Sequence, residues 1–387
     1  MKDYIVSVVI PTYNRYEYLI PAIQSMIRIS NPNLEIVIQD NSTDNREIVN
    51  FLNSIQDDRV KYYYKETHIS MSENCELGVT NSTGLYVCLM GDDDTICESL
   101  IDAAFYCKEH DVDACMYPFP GFNWPDMTFE GVKEEANLFY MFPADGTIAE
   151  IDSQAILNHA IKSAEGLPRI MPRAYHGLVS RDCLERAKEV CGSYFPGPSP
   201  DIANSVAVCL TARKAVYISD YLIVSGYGYN SARGQGNRKQ HYGKISEKPW
   251  LPNNTEEVWE KDIPKIFSAE TIFAESMVKA LKAMKRKDLA DQYCYSALYA
   301  LFLRHHKDAG WQMLKFCLKK PKRFIMTASG IFTRLKYRRE LLQTKTAPFK
   351  EVSNITSLKE AQEYTSVIRK ECVRNYTETD TVISYGW

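Results

Sequence analysis

From residue 5 to about residue 118, short runs of β-branched and apolar residues alternate with stretches whose apolar positions recur every three or four residues. Residues 5–10 read as a buried strand that Pro11 stops, because proline brings no N–H to a sheet ladder. Leu19, Ile23, Met26 and Ile27 then fall on one face of a helix. A strand over 35–38, a helix stripe Ile48, Phe51, Leu52 and Ile55, and a strand over 60–64 continue the series. Residues 85–90 predict another buried strand, Leu100, Ile101, Ala104 and Phe105 a helix, and 114–117 a last strand before Pro118. Strand–helix alternation at this spacing predicts an α/β fold, a mostly parallel sheet flanked by helices on both faces.

Between 118 and 148 the pattern gives way to Pro, Gly and aromatic residues. This predicts an irregular excursion, either a pocket wall or a surface loop whose rings simply pack. A helix over 153–164 and a strand over 217–224 follow, and then residues 226–238, whose four glycines interleaved with Asn and Arg predict a mobile loop. From about 256 to 343, long Ala, Leu, Lys and Glu stretches predict a helical region. The last forty or so residues are polar and either wrap back or fray. The expected domains are an α/β unit over 1–250 and a helical C-terminal region over 251–387.

At 387 residues the chain exceeds one ordinary core, and its 45% hydrophobic content makes it globular. A formal charge of −3 gives no reason to expect nucleic acid as a partner. Eleven scattered cysteines without a C-x-x-C pair favour reduced thiols in a cytoplasm. The opening residues predict no signal peptide, and no apolar run approaches the roughly 20 residues that span a bilayer. Locally the charge is uneven. Between 311 and 339 stand nine Lys or Arg (315, 319, 320, 322, 323, 334, 336, 338 and 339) and no acid, interleaved with apolar residues. The segment reads either as a helix lying on an anionic membrane surface, peripheral on the inner face of the cell membrane, or as a solvated helical face.

The candidate chemistry sits where strands end. Gly91-Asp92-Asp93-Asp94 follows directly on the run 85–90. Adjacent carboxylates repel one another and are tolerable in water or around a hard divalent cation such as Mg²⁺ or Mn²⁺, which often shares its oxygen ligands with a substrate's phosphates. In an open α/β sheet, ligands sit beyond the carboxyl ends of the strands. The tips Pro11-Thr12-Tyr13-Asn14-Arg15 and Asp40-Asn41-Ser42-Thr43-Asp44 converge on the same edge in the proposed sheet. Standing alone, the triplet is equally well a solvated acidic turn.

These pieces together resemble the family 2 inverting glycosyltransferases of the GT-A fold, of the type that builds bacterial surface polysaccharides. Residues 8–15 look like the family's opening strand, 40–44 like its D-x-S-x-D turn, and 91–94 like its D-x-D region. Met71-Ser72-Glu73-Asn74, followed by Thr83-Gly84-Leu85-Tyr86-Val87, matches the segment preceding that region. The resemblance covers roughly the first hundred residues. It implies a UDP-sugar donor held by Pro11, Thr12, Tyr13, Arg15, Asn74, Asp92 and Asp93, with Asp40 accepting a hydrogen bond from the uracil N–H. It also implies Mn²⁺ or Mg²⁺ on Asp94 and Asp92, since alternate residues of an extended run share a face.

Farther along, Asp201 in Ser199-Pro200-Asp201 stands where the family carries its general base. The same residue reads as a helix N-cap. Asp182 and Glu165 are the other candidates. The stretch 175–181 resembles the family's acceptor-side strand, so His176 either touches an acceptor sugar or phosphate or is a buried histidine satisfied by backbone. Arg233, Arg238, Lys239 and His241 either close over the donor as a lid or belong to a plain connection. The expected reaction is metal-dependent transfer from the UDP-sugar to a hydroxyl of a saccharide or lipid-linked saccharide acceptor in the cytoplasm. The alternatives are a non-catalytic assembly subunit with a retained nucleotide fold, or a sugar-phosphate nucleotidyltransferase. The oligomeric state stays open.

Overall fold

The computed structural model describes residues 4–129, 136–164, 166–238, 241–341 and 350–384. In chain order the strands are β1 (Val6–Thr12), β2 (Leu34–Asp40), β3 (Val60–Tyr64), β4 (Tyr86–Leu89), β5 (Thr95–Ile96), β6 (Ala114–Met116) and β7 (Gly121–Asn123). They continue as β8 (Phe139–Met141), β9 (Thr147–Ile151), β10 (Leu178–Ser180), β11 (Ala215–Ile218), β12 (Ile223–Tyr227), β13 (Lys350–Val352) and β14 (Thr377–Ile383). One sheet runs β14-β9-β11-β6-β10-β4-β1-β2-β3 and a second runs β13-β8-β7-β12-β5.

The first sheet begins as the alternation predicts. β1 lies parallel between β2 and β4, and β3 extends it parallel to β2. Val8 and Ile10 join the core on one face of the sheet while Val9 joins Val37 and Leu89 in the core on the other. Period-2 side chains thus feed two apolar layers, which is why the run carries little polar alternation. β1 continues through Pro11 to Thr12 instead of stopping at Ile10. Its pairing with β4 ends at Val9, so at Pro11 one side of the ladder is already open and the missing N–H costs little there. β10 enters antiparallel between β4 and β6, leaving the sheet mostly parallel.

Three expectations change. The stretch 118–148 is not simply irregular, since it contributes β7, β8 and the start of β9. β7 and β8 pair antiparallel, and at Gly121 an added Cβ would stand 2.1 Å from the Tyr140 ring, so the glycine lets strand and ring meet. The expected strand over 217–224 is two strands, β11 in the first sheet and β12 in the second, because the chain crosses between sheets at the buried Asp220-Tyr221-Leu222. The glycine-rich stretch carries regular structure: Gly226 belongs to β12, and Ala232–Asn237 forms a short helix whose cap, the Ser231 side chain, accepts from the Gly234 N–H.

The helices Ala269–Ala283, Tyr295–His305, Gly310–Leu318 and Lys322–Leu341 gather beside the sheet, sharing a core with the helices Ser153–Ser163 and Pro200–Thr211. The polar tail then wraps back. β13 pairs with β8, the helix Leu358–Cys372 lies against the helix Tyr16–Ile27, and β14 pairs parallel with β9. An ion pair fastens it: Arg369 reaches the fully buried Asp220 at 2.8 Å, and the Tyr376 hydroxyl donates to the same carboxylate at 2.9 Å.

Candidate active site

β4 ends under the acidic triplet, and residues 92–93 form a turn rather than an extended run. Alternation therefore does not put Asp92 and Asp94 on one face. Each carboxylate has its own partners. Thr12 Oγ1 donates to Asp92 Oδ2 at 2.7 Å, and Arg15 bridges its neighbours, Nη1 2.9 Å from Asp92 Oδ1 and Nη2 3.0 Å from Asp93 Oδ2. Asp94 Oδ2 accepts from the Gly91 N–H at 2.7 Å and lies 2.6 Å from His176 Nε2, while its Oδ1 accepts from the Gly226 N–H at 2.8 Å. The three residues are 2%, 5% and 1% exposed. Burial pushes Asp92 up to about 7, with Arg15 pulling it down and Asp93 pushing it further up. Burial also raises Asp93. Among the described residues Arg15 is the one lysine or arginine within ion-pair distance of the triplet, and His176 lies within that distance of Asp94.

The other strand tips meet this turn from one side. Asn74, near the start of the capped helix Met71–Asn81, donates through Nδ2 to the carbonyls of Thr12 at 3.2 Å and Gln39 at 3.1 Å, tying β1 to β2 where both end. Its buried Oδ1 has no hydrogen-bond partner among the described residues. Asp40 is fully buried: Oδ2 accepts from the hydroxyls of Tyr16 at 2.7 Å and Tyr62 at 2.8 Å, and Oδ1 accepts from the Ser42 N–H in an Asx turn. Tyr13 is exposed and packs edge-on against His68, and Pro11 is half-buried beside it. Asn14 takes a left-handed backbone (φ 53°), from which its N–H donates to Ser42 Oγ and locks the two tips together.

His176 arrives from the other side. Its backbone is left-handed (φ 52°) and its N–H donates to the Leu89 carbonyl at 2.9 Å, which sets the ring against Asp94. Because β10 runs antiparallel to β4, His176, before β10, stands at the triplet's edge of the sheet, whereas Asp182, after it, stands at the opposite edge. There Asp182 is exposed and paired with Arg186. Asp201 lies in the first turn of the helix Pro200–Thr211. Its Oδ1 accepts from the Ser199 hydroxyl at 2.5 Å and the Ile202 N–H at 2.8 Å. Three residues on from Asp201, Asn204 Oδ1 accepts from the Ala174 N–H at 2.8 Å, so this helix also positions the segment that carries His176. The Tyr175 hydroxyl is held well above its ordinary range by burial, then by the charges of Asp94, Asp93 and Asp201.

Residues 7–153 match the family described as Glycosyl transferase family 2. The chain carries a family 2 glycosyltransferase domain. The glycosyltransferase is 26% identical over 226 residues to the Streptococcus pneumoniae serotype 4 protein "Glycosyltransferase GlyG", spanning 56% of this chain and 69% of that protein. It is 35% identical over 96 residues to an "Uncharacterized glycosyltransferase" of Rickettsia bellii, spanning 24% of this chain but 14% of that protein. Among solved structures, S. aureus TarS 1–349 in complex with UDP-GlcNAc aligns at a TM-score of 0.44 and 15% identity, over 82% of this chain and 92% of that one.

Among the described residues of this glycosyltransferase, no three His, Cys, Asp or Glu side chains converge as a metal cage. Asp94 and His176 are hydrogen-bonded to each other at 2.6 Å; of the two, the carboxylate is the donor that suits Mg²⁺ or Mn²⁺, which usually take further oxygen ligands from water and substrate phosphates. The expected second ligand, Asp92, turns instead to Thr12 and Arg15. Of the lid residues, Arg233 donates to the Tyr140 hydroxyl at 2.9 Å and Arg238 lies 3.8 Å from the centre of the Tyr229 ring. Burial lowers His241, the Lys248 charge lowers it further, and Glu270 and Asp201 act the other way. Glu165 and Lys239 lie outside the described residues.

Sequence reasoning missed two supports of the triplet. Trp124 Nε1–H donates to the Asp93 carbonyl at 3.1 Å, and an added Cβ on Gly226 would stand 1.7 Å from that same oxygen. A glycine inside a strand pattern signals such a close approach, but it does not say what approaches.

Proposed function

We propose that the glycosyltransferase moves a sugar from a UDP-sugar to a hydroxyl of a surface glycan, with inversion and with help from a divalent cation. The observation that carries this reading is the buried acidic turn at the carboxyl ends of β1, β2 and β4, held by Thr12, Arg15 and His176, with the helix that carries Asp201 fastened through Asn204 to the segment before His176. Thr12, Arg15, Asn74, Asp92 and Asp93 hold the nucleotide sugar, with Pro11 and Tyr13 at the rim. Asp40 uses three of a carboxylate's roughly four acceptor positions internally, which leaves one on Oδ1 for a uracil N–H. Asp94, with His176 or Asp92, would hold Mn²⁺ or Mg²⁺, and such an ion supplies Lewis acidity to a departing diphosphate.

Asp201 acts as the base. Its Oδ1 is fixed by Ser199 and Ile202, and its Oδ2 makes no hydrogen bond to a described residue, so one oxygen orients the group while the other accepts a proton. The acceptor hydroxyl attacks the anomeric carbon as its proton passes to Asp201, the new C–O bond forms, and the bond to the UDP oxygen breaks. We assign the acceptor as a saccharide or lipid-linked saccharide and the site of action as the cytoplasm, in keeping with eleven cysteines that are all unpaired. The 1–250 unit, completed by the returning tail, binds the donor.

Thermal shift with a panel of UDP-sugars and Mn²⁺ tests the donor half. Asp94→Asn is expected to abolish Mn²⁺-dependent UDP stabilisation. Asp201→Asn is expected to keep that stabilisation and to lose transfer by about 10²–10⁴-fold. Equal transfer by the wild type and Asp201→Asn would refute the base assignment.

A further inference from the structure

Two successive helices turn their apolar residues outward. On Gly310–Leu318, Trp311 and Leu318 are 64% and 63% exposed, and on Lys322–Leu341, Ile325 and Phe332 are 74% and 76% exposed. Each pair is seven residues apart, two helical turns, so each forms a stripe along one face. The opposite faces are committed. Met313 and Cys317 are buried in the core, and at Gly330 an added Cβ would stand 1.9 Å from the Ser296 carbonyl oxygen, so this helix cannot roll its stripe inward.

The charge of this hairpin is sorted as well. Arg323 is buried against Asp262 at 2.9 Å, and Lys320, still about one-third exposed, pairs with the same carboxylate at 2.7 Å, so both of these basic positions are offset by an acid. Lys315, Lys319 and Lys322 stay exposed among the apolar residues, the Lys315 ammonium 5.4 Å from the centre of the Trp311 ring. The side chains of Arg334, Lys336, Arg338 and Arg339 lie outside the described residues. From Trp311 to Arg339 the sequence holds no Asp or Glu, so no acid in that stretch offsets Lys315, Lys319 and Lys322.

We propose that this hairpin docks the enzyme on the surface of a bilayer containing anionic lipids. Exposed aromatic and aliphatic side chains among lysines match the boundary between acyl chains and negatively charged headgroups. A twofold contact with a second copy fits poorly, because the lysines would then face lysines. No described helix is long and apolar enough to cross a membrane, so the contact lies along the surface. The docking does not depend on the donor reading, and its readout is binding alone.

The experiment is co-sedimentation of the full chain with phosphatidylcholine vesicles, with and without phosphatidylglycerol. The wild type is expected to bind the phosphatidylglycerol vesicles and to release as salt rises. The double variant Ile325→Glu/Phe332→Glu changes only exposed positions, so its melting temperature stays put while vesicle binding falls about tenfold or more. Lys319→Glu/Lys322→Glu is expected to erase the preference for phosphatidylglycerol. Equal binding by wild type and the Ile325→Glu/Phe332→Glu variant overturns the proposal. So does a vesicle-inert protein that dimerises through this face and becomes monomeric in that variant.

Discussion

The acidic turn and the helical hairpin break the ordinary inside–outside rule in opposite directions. At the turn, three carboxylates are buried; on the hairpin, large apolar side chains stand in water. The turn meets its cost in part from within, through Thr12, Arg15, the N–H groups of Gly91 and Gly226, and the short contact with His176. The hairpin has no such compensation on its outer face and is held from behind, by Asp262 and by the close approach at Gly330. Buried charge can be partly satisfied by a fold because hydrogen bonds and ion pairs are directional and local. Exposed apolar area can only be satisfied by something that covers it.

That contrast can be broken most sharply at Arg15. Arg15→Met leaves Asp92 and Asp93 buried without a cation, and should cost about 3–5 kcal/mol at pH 8 in urea unfolding. The loss should shrink toward pH 5 as the acids protonate. A cost under about 1 kcal/mol at both pH values would mean that the turn is not charge-stressed at all.

The two regions should also answer acid with opposite signs. Burial raises Asp92 to about 7, so in metal-free protein its contribution to stability is full below its unfolded value of ~3.9 and is lost as pH rises through about 7. Asp262 feels burial too, but hydrogen bonds from Lys320 and Arg323 outweigh it and lower its pKa. Its contribution is present above ~3.9 and is lost as pH falls through the depressed folded value. Melting curves of Asp92→Asn should therefore be flatter than wild type between pH 5 and 8, while hydrogen exchange in 310–330 should accelerate only in stronger acid. The same sign in both regions would contradict the contrast.

The smallest effect is expected on the hairpin's outer face. Ile325→Ser should change stability by no more than about 0.5 kcal/mol, because an exposed side chain without packing partners contributes little to folding. A loss above ~1.5 kcal/mol would show that the side chain packs after all.

The strands around the site were legible because their signal is local. Residues 35–38 and 60–64 announce β2 and β3 by β-branched and aromatic runs, and the helix Tyr16–Ile27 buries Leu19, Ile23 and Met26 as the stripe requires. The strip 118–148 failed for the converse reason. β7 and β8 are three residues each, too short for any period to register, and they exist because they pair with each other and with β12 and β13. The tail's polar sequence is compatible with wrapping back or with fraying, and it wraps back: its polar strand lies at a sheet edge, and what fastens it is Asp220, 149 residues before Arg369.

By itself the sequence determined the order of strands and helices in the first hundred residues, the acidic triplet at a strand end, and the basic and apolar mixture after residue 310. Each is a property of neighbours in the chain, where periodicity and adjacency are physical quantities one can count. The tertiary structure decided which groups those residues face. Asp94 meets His176 across 82 positions and the Gly226 N–H across 132, and Lys320 and Arg323 pair with Asp262. Such pairings are set by how sheet and helices pack, since a carboxylate's partner is fixed by distance in space, and chain spacing carries no measure of that distance.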